Sequence, residues 1–252
     1  TDQQDTATMT VVIDGPAFLA PGATGSYSVT STKASLGNNV KMGVNIAASD
    51  PGAVLSESAA NLVISNNEIV HSAAAGALNT TGANGQAQYN FSFTMPANAS
   101  LGSAHTLYAV SRLGFSGGWR HAANFPVIAA TLPGAPTGIS ATAGNTTASI
   151  SFSAPATTGG AAIGQYSATC TSAGGNRSVS GTSSPLVVTS MTNGTTYSCS
   201  VTASSAVGTG AASSSVNVTP QAPGVAPQIT SSSATSFTVG SAGTFTVSVS
   251  GT

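Results

Sequence analysis

Tyr197-Ser198-Cys199-Ser200-Val201-Thr202-Ala203 alternates apolar and hydroxyl side chains without a break. A period of two puts Tyr197, Cys199, Val201 and Ala203 on one face and the hydroxyls on the other, the pattern of a half-buried β-strand. The pattern recurs on both sides of this stretch. Upstream, Ala148, Ile150 and Phe152 alternate with serines until Pro155 ends the run, and Tyr166, Ala168 and Cys170 alternate next. Leu186 and Val188 follow, then Asn193-Gly194 as a turn, and Val216 and Val218 close the series. Short alternating runs punctuated by Gly, Asn, Ser and Pro predict antiparallel strands.

Two Pro/Gly-rich joints flank this region, Leu132-Pro133-Gly134-Ala135-Pro136 and the stretch from Pro220 to Pro227. Stiff, turn-prone segments of this kind link β modules. They divide the chain into 1–131, 132–220 and 221–252. The first part also reads as strands. Tyr27 and Val29 share a face; Val40, Met42, Val44 and Ile46 alternate; Tyr89, Phe91 and Phe93 form an aromatic face ending at Pro96; Leu107 and Ala109 oppose Tyr108 and Val110. Thr8 to Ile13, Leu62 to Ile64, Glu68 to His71 and Asn124 to Ile128 supply further strands, and the Ala-rich Ser72 to Leu78 is the one helical candidate. The predicted fold is all-β, tandem antiparallel β-sandwiches.

From Ile69 to Thr252 there is no aspartate or glutamate, and beyond Arg177 no formal charge. Carboxylates serve glycosidase pairs, aspartyl dyads and Mg²⁺ or Ca²⁺ cages, so those chemistries are excluded from most of the chain. Charged residues are 4% of the sequence and the net charge is −1. A chain without a basic stripe is not expected to bind nucleic acid. No apolar run is long enough for a transmembrane helix. Near-zero net charge removes the repulsion that keeps copies apart. Cys170 and Cys199 are the only cysteines. An isolated pair in a Ser/Thr-rich β protein suggests a disulfide and an oxidising compartment, with two buried free thiols as the alternative. Seven N-x-S/T sequons, at Asn79, Asn90, Asn98, Asn145, Asn176, Asn193 and Asn217, permit glycans.

Residues 134–220 resemble a bacterial fibronectin type III module. The resemblance rests on the Pro133/Pro136 opening, the Ile150–Phe152–Pro155 run, the Tyr166 strand, the Asn193-Gly194-x-x-Tyr197 corner and the Gly208/Gly210 hairpin. Phe152 stands where the family usually has a tryptophan. The resemblance implies a seven-stranded sandwich with a spacer or binding role. It also implies that Cys170 lies on the third strand and Cys199 on the sixth, neighbours in one sheet. Both would then point into the core, and a non-hydrogen-bonded pair at about 4.5 Å between Cα atoms can be bridged.

Residues 10–128 are similar to the extracellular module called choice-of-anchor V, itself like reeler domains, through Ile69-Val70-His71, Phe91-x-Phe93-x-x-Pro96-Ala97 and Leu107-Tyr108-Ala109. This implies a secreted or surface location and no catalytic residues. Phe237 to Val249 resembles the opening strands of bacterial Ig-like repeats and echoes Phe18 to Val29. So short a segment cannot bury a sandwich core. It reads as a piece of a longer array, or as strands that pair with a neighbouring subunit.

Three constellations carry chemistry on paper. Gly114-Phe115-Ser116-Gly117-Gly118 has the G-x-S-x-G form with His121 nearby, but a nucleophile elbow needs a helix after it, and a strand-like run follows instead. His71, His105 and His121 have no metal-site spacing. Trp119, Arg120 and Arg112 form the one cluster suited to recognition, since an exposed Trp beside Arg stacks on sugars or pairs with acids. The competing reading of that cluster is a Trp closing the base of the sandwich under an Arg cover. The expectation is a non-catalytic extracellular structural or adhesive protein of a bacterial surface, a subunit of a self-assembling fibre or layer. No catalytic residue, metal or cofactor is expected. The partners would be copies of the chain, through uncharged faces or strand donation, and glycans. The alternative is the accessory spacer and binding region of a larger secreted enzyme acting on polysaccharide.

Overall fold

A computed structural model describes residues 9–33, 41–50, 52–57, 62–65, 68–71, 78–79, 85–113, 119–224, 228–231, 239–240, 244 and 246–250. Among them there are strands and no helix. Leu78 of the helical candidate lies in a strand, and Ser72 to Gly76 and Ala77 lie outside the described residues.

The N-terminal region is a two-sheet sandwich. One sheet has the order β1 (Met9–Asp14), β3 (Thr24–Lys33), β9 (Gln86–Thr94), β5 (Val54–Glu57). The other runs β2 (Phe18–Leu19), β12 (Phe125–Ala129), β10 (Ala104–Leu113), β4 (Lys41–Ala48), β7 (Glu68–His71), β6 (Leu62–Ser65), with β11 (Trp119–His121) on β10 and β8 (Leu78–Asn79) on β4. All pairings are antiparallel except β12 with β2.

The period-two patterns explain the core. Tyr27, Val29, Tyr89, Phe91 and Phe93 from the first sheet pack against Val44, Ile46, Leu107, Ala109 and Val127 from the second. The expected aromatic face is therefore the centre of the sandwich, and Tyr108 and Val110 point the other way. Val40 lies outside the described residues. The Tyr27 ring stacks on Phe91 at 5.5 Å and meets Phe93 and Phe125 edge-on at 6.1 and 6.0 Å. Its hydroxyl donates to the Pro16 carbonyl at 2.8 Å. A Cβ at Gly15 would collide with this ring, so the β1–β2 corner needs glycine to let Tyr27 in.

The second sandwich has a three-stranded sheet, β13 (Thr137–Gly144), β14 (Thr147–Ser153), β17 (Leu186–Val188). The facing sheet runs β16 (Arg177–Gly181), β15 (Ile163–Thr171), β18 (Tyr197–Ser205), and both β19 (Gly208–Thr209) and β20 (Val216–Val218) pair with β18. The last strand is thus in two pieces. Ala148, Ile150 and Phe152 face Tyr166, Ala168, Tyr197, Val201 and Ala203, all buried. The Asn193-Gly194 turn closes with the Thr195 amide donating to Thr192 O at 3.2 Å, and Gly194 takes the left-handed φ of +78° that glycine favours.

Two compact units divide the chain, Thr1–Gly134 with Pro155–Gly164 and Ala203–Ala211, and the remainder. In the C-terminal segment β21 (Gln228–Ile229) pairs with β22 (Val249–Ser250), and the Thr230 amide donates to Ser248 O at 2.8 Å.

Candidate functional site

The register of β10 decides where the recognition cluster points. Arg112 pairs with Trp119, Ser111 with Arg120 and Val110 with His121. Ser111, Ala109 and Leu107 are buried, so Arg112, Val110 and Tyr108 lie on the outer face, with Trp119 and His121 beside them. Trp119 is 47% exposed, and the Arg112 guanidinium sits 5.7 Å from its ring centroid. The tryptophan therefore does not close the base of the sandwich; it stands on the outside with a cation over its face. Arg120 does not join it. Its Nε turns across the strand to donate to Met9 O on β1 at 3.2 Å, tying the two sheets together at one edge. On the same outer face a groove of about 230 Å³ is lined by Asn45, Ala47, Tyr108, Ala109, Val110 and His121. On the other sheet a polar trough of about 330 Å³ runs past Asp14, Ser26, Ser28, Gln88, Asn90 and Ser92.

The histidines do not converge. His105 is on the inner face of β10, 7% exposed, and His121 is on the outer face. The backbone of His71 is in β7. No group of three His, Cys, Asp or Glu able to hold a metal is found among the described residues. His105 instead sits in a hydrogen-bonded chain, its Nδ1 3.2 Å from Asp50 Oδ2 and its Nε2 3.1 Å from Ser103 Oγ. The other Asp50 oxygen accepts the Gly52 amide at 2.7 Å, and Ser49 Oγ accepts the Thr106 amide at 2.9 Å. The order Asp–His–Ser is that of a nucleophile relay, which also needs amides aimed at a reacting oxyanion. The amides of Gly102 and Ser103 already donate to Ala129 O and Ser100 O. What the chain does is clamp the β4–β5 turn onto the start of β10. Ser116 and its glycines lie outside the described residues.

In the second sandwich Cys170 and Cys199 form a disulfide, with Cα atoms 4.0 Å apart and both side chains fully buried. They lie on β15 and β18, adjacent strands of one sheet. Two residues before Cys199, the Tyr197 hydroxyl accepts the Thr192 amide at 3.0 Å, a tyrosine fastened to the chain just upstream. Asn193 Oδ1 accepts the Thr146 amide at 2.9 Å and its Nδ2 donates to Asn145 at 2.8 Å, locking the same corner to the β13–β14 turn.

These features decide the second sandwich, and the match to a family model agrees. Residues 134–219 match the model of the fibronectin type III domain. They form a fibronectin type III module. No curated protein matches the chain. Among solved structures, a crystal structure of titin domains aligns over 84% of this chain and 66% of that one, at 12% identity and a TM-score of 0.51. The FN1-FN3 domains of chicken CNTN1 align over 88% of this chain and 65% of that one, at 13% identity and a TM-score of 0.47. The chain spans just under two thirds of the length of either. At such identity the titin likeness speaks for an all-β tandem-sandwich fold alone.

The fibronectin type III module holds one formal charge, Arg177. Its Nε donates to Ser190 O at 2.6 Å and Nη1 to Asn176 O at 2.9 Å, so the cation is held by backbone carbonyls. The sequence placed Trp119 and Arg112 together but gave Arg120 to the same cluster; the alternation of side chains along β11 separates them. The partnership of Asp50, His105 and Ser103 carried no sequence signal, because Asp50 and His105 meet only once β4 and β10 are paired.

Proposed function

We propose that the chain is a non-catalytic extracellular structural or adhesive protein that associates with copies of itself, as a subunit of a bacterial surface fibre or layer. The β21–β22 pair carries this reading. Two strands cannot bury a core, and here Ile229 is 71% and Val249 65% exposed. Exposed apolar side chains on so small a sheet fit another strand of the same chemistry. The nearly uncharged fibronectin type III surface supports the same conclusion, since it offers no repulsion to a copy of itself. The disulfide fits an oxidising compartment. Sequons Asn90, Asn98, Asn176 and Asn217 are exposed and open to glycans, whereas Asn145 and Asn193 are engaged with each other.

Sedimentation velocity over a concentration series tests this. Association should grow with concentration, persist in high salt and disappear when residues 221–252 are deleted. A chain that stays monomeric throughout, or a deletion that associates as the full chain does, refutes it.

A further inference from the structure

The outer face of the β10 sheet holds a row of rings that the assembly reading does not use. On β10 the outward positions are Tyr108, Val110 and Arg112, and β11 sets His121 level with Val110 and Trp119 level with Arg112. Strand geometry advances about 3.4 Å per residue, so the three ring positions, one on β10 and two on β11, are staggered by about 7 Å along the strand direction and span about 14 Å in it. Tyr108 is 42% exposed, Trp119 remains open on one side of Arg112, and His121 is exposed. Across the groove, level with Tyr108 and Val110, lie Ala47 and Asn45 of β4. Asn45 Nδ2 donates to Glu68 Oε2 at 3.0 Å, and both residues belong to this outer face because their strand neighbours Val44, Ile46 and Ile69 are buried.

We infer that this face binds a linear, uncharged polysaccharide. Aromatic faces take the C–H sides of sugar rings, whose partial positive charge suits the negative face of a π-system. Rings staggered along two paired strands suit a ligand that repeats along a chain. Hydroxyls need fixed donors and acceptors at the rim, and Asn45, Glu68, Arg112 and His121 supply both kinds. The charge balance selects against an ionic ligand. Among the described side chains Arg112 and Glu68 leave the face with no net charge, and the cation lies over the indole. Small apolar residues, Ala47 and Val110, floor the groove and leave room for a flat ligand. This names a ligand for the adhesive reading and rests on that half of it alone; it does not need self-association.

Trp119 is the only tryptophan in the chain, so its emission reports on this face directly. The experiment is affinity electrophoresis of the full chain in gels containing hydroxyethylcellulose, xylan, galactomannan or polygalacturonate, with tryptophan emission titrated against the same polymers. Retardation by at least one uncharged polymer, with a shift in emission, is expected. Tyr108→Ala and Trp119→Ala should each weaken retardation by about tenfold or more, while Val187→Ser, on an exposed position of the fibronectin type III module, should leave it unchanged. Both ring positions are exposed, and a near-UV spectrum of Tyr108→Ala confirms the fold. Retardation by none of the uncharged polymers overturns the inference. So does binding that survives both ring substitutions, or binding confined to polygalacturonate and abolished by salt. If Tyr108→Ala and Trp119→Ala instead abolish self-association in the centrifuge and leave polymer binding intact, the face is an interface between copies and the inference fails. Lost polymer binding with unchanged sedimentation supports it and leaves the assembly reading standing.

Discussion

The two sandwiches solve the same problem with different chemistry. Each must hold two sheets together around a small core. The N-terminal one does it with five aromatic rings, Tyr27, Tyr89, Phe91, Phe93 and Phe125, and with the Arg120 bond from β11 to Met9 O on β1. The fibronectin type III module has one close ring pair, Phe152 with Tyr166 at 4.8 Å, and a disulfide. That bridge joins neighbouring strands in one sheet, so it does not tie the sheets to each other. It fixes the register of β15 on β18, and packing still has to hold β14 against them. Stability in the first sandwich thus rests on buried aromatic area, and in the second on a covalent restraint of the unfolded chain.

The largest effect should follow from removing a ring of the first cluster. Phe91→Ala deletes a fully buried side chain that stacks on Tyr27. Such truncations cost about 3–5 kcal/mol, the lost transfer energy plus the cavity left behind. Calorimetry should show the N-terminal transition falling while the second stays put, with tryptophan emission identifying the first because Trp119 lies there. A fall of both transitions together would mean that the two regions unfold as one and that the contrast is false.

The cystine comes next. The bridged residues are 29 apart, for which loop-closure entropy gives about 3.5 kcal/mol. Cys170→Ala with Cys199→Ala should lower the fibronectin type III transition by that order and leave the N-terminal one unmoved. A loss under about 1 kcal/mol would show that the packing of β14 and β17, rather than the bridge, carries the module.

The same division explains what the sequence disclosed. Period-two alternation made Tyr27, Val29, Phe91, Phe93, Ile150 and Cys199 legible as core, because a strand with one wet face must alternate. The pairing of Cys170 with Cys199 was legible through the family resemblance, which supplied the strand order that spacing cannot. Two kinds of feature were not legible. Groups that meet across distant strands, such as Asp50 and His105, carry no local pattern. A short edge strand is also too brief for periodicity to say which of its side chains faces in, so Arg120 and Trp119 could not be told apart. Alternation put Tyr108 on the face opposite Leu107 and Ala109, yet which face is outer, and its place near His121 and Trp119, needed the burial of β10 and its register on β11.

The smallest effect is a matter of pH and of two buried tyrosines with opposite hydrogen-bonding roles. Tyr27 donates its proton to Pro16 O, and burial holds its phenol above the ordinary tyrosine value. Tyr197 accepts the Thr192 amide, and that bond, reinforced by its neighbours, holds its phenol below the ordinary value in spite of burial. A phenolate can accept a hydrogen bond but cannot donate one. For Tyr27 the folded state keeps a proton that the unfolded chain releases near pH 10. Its contribution is therefore complete below about pH 10 and declines above it, by up to about 1.4 kcal/mol per pH unit for one proton. For Tyr197 the sign reverses, and rising pH through the same range favours the folded module. Raising the pH from 9 to 11 should lower the N-terminal transition more than the fibronectin type III one, and Tyr27→Phe should remove its share of that slope. Equal alkaline losses in both transitions, or a slope that Tyr27→Phe leaves untouched, would show that the donor and acceptor roles of these two hydroxyls do not separate the sandwiches.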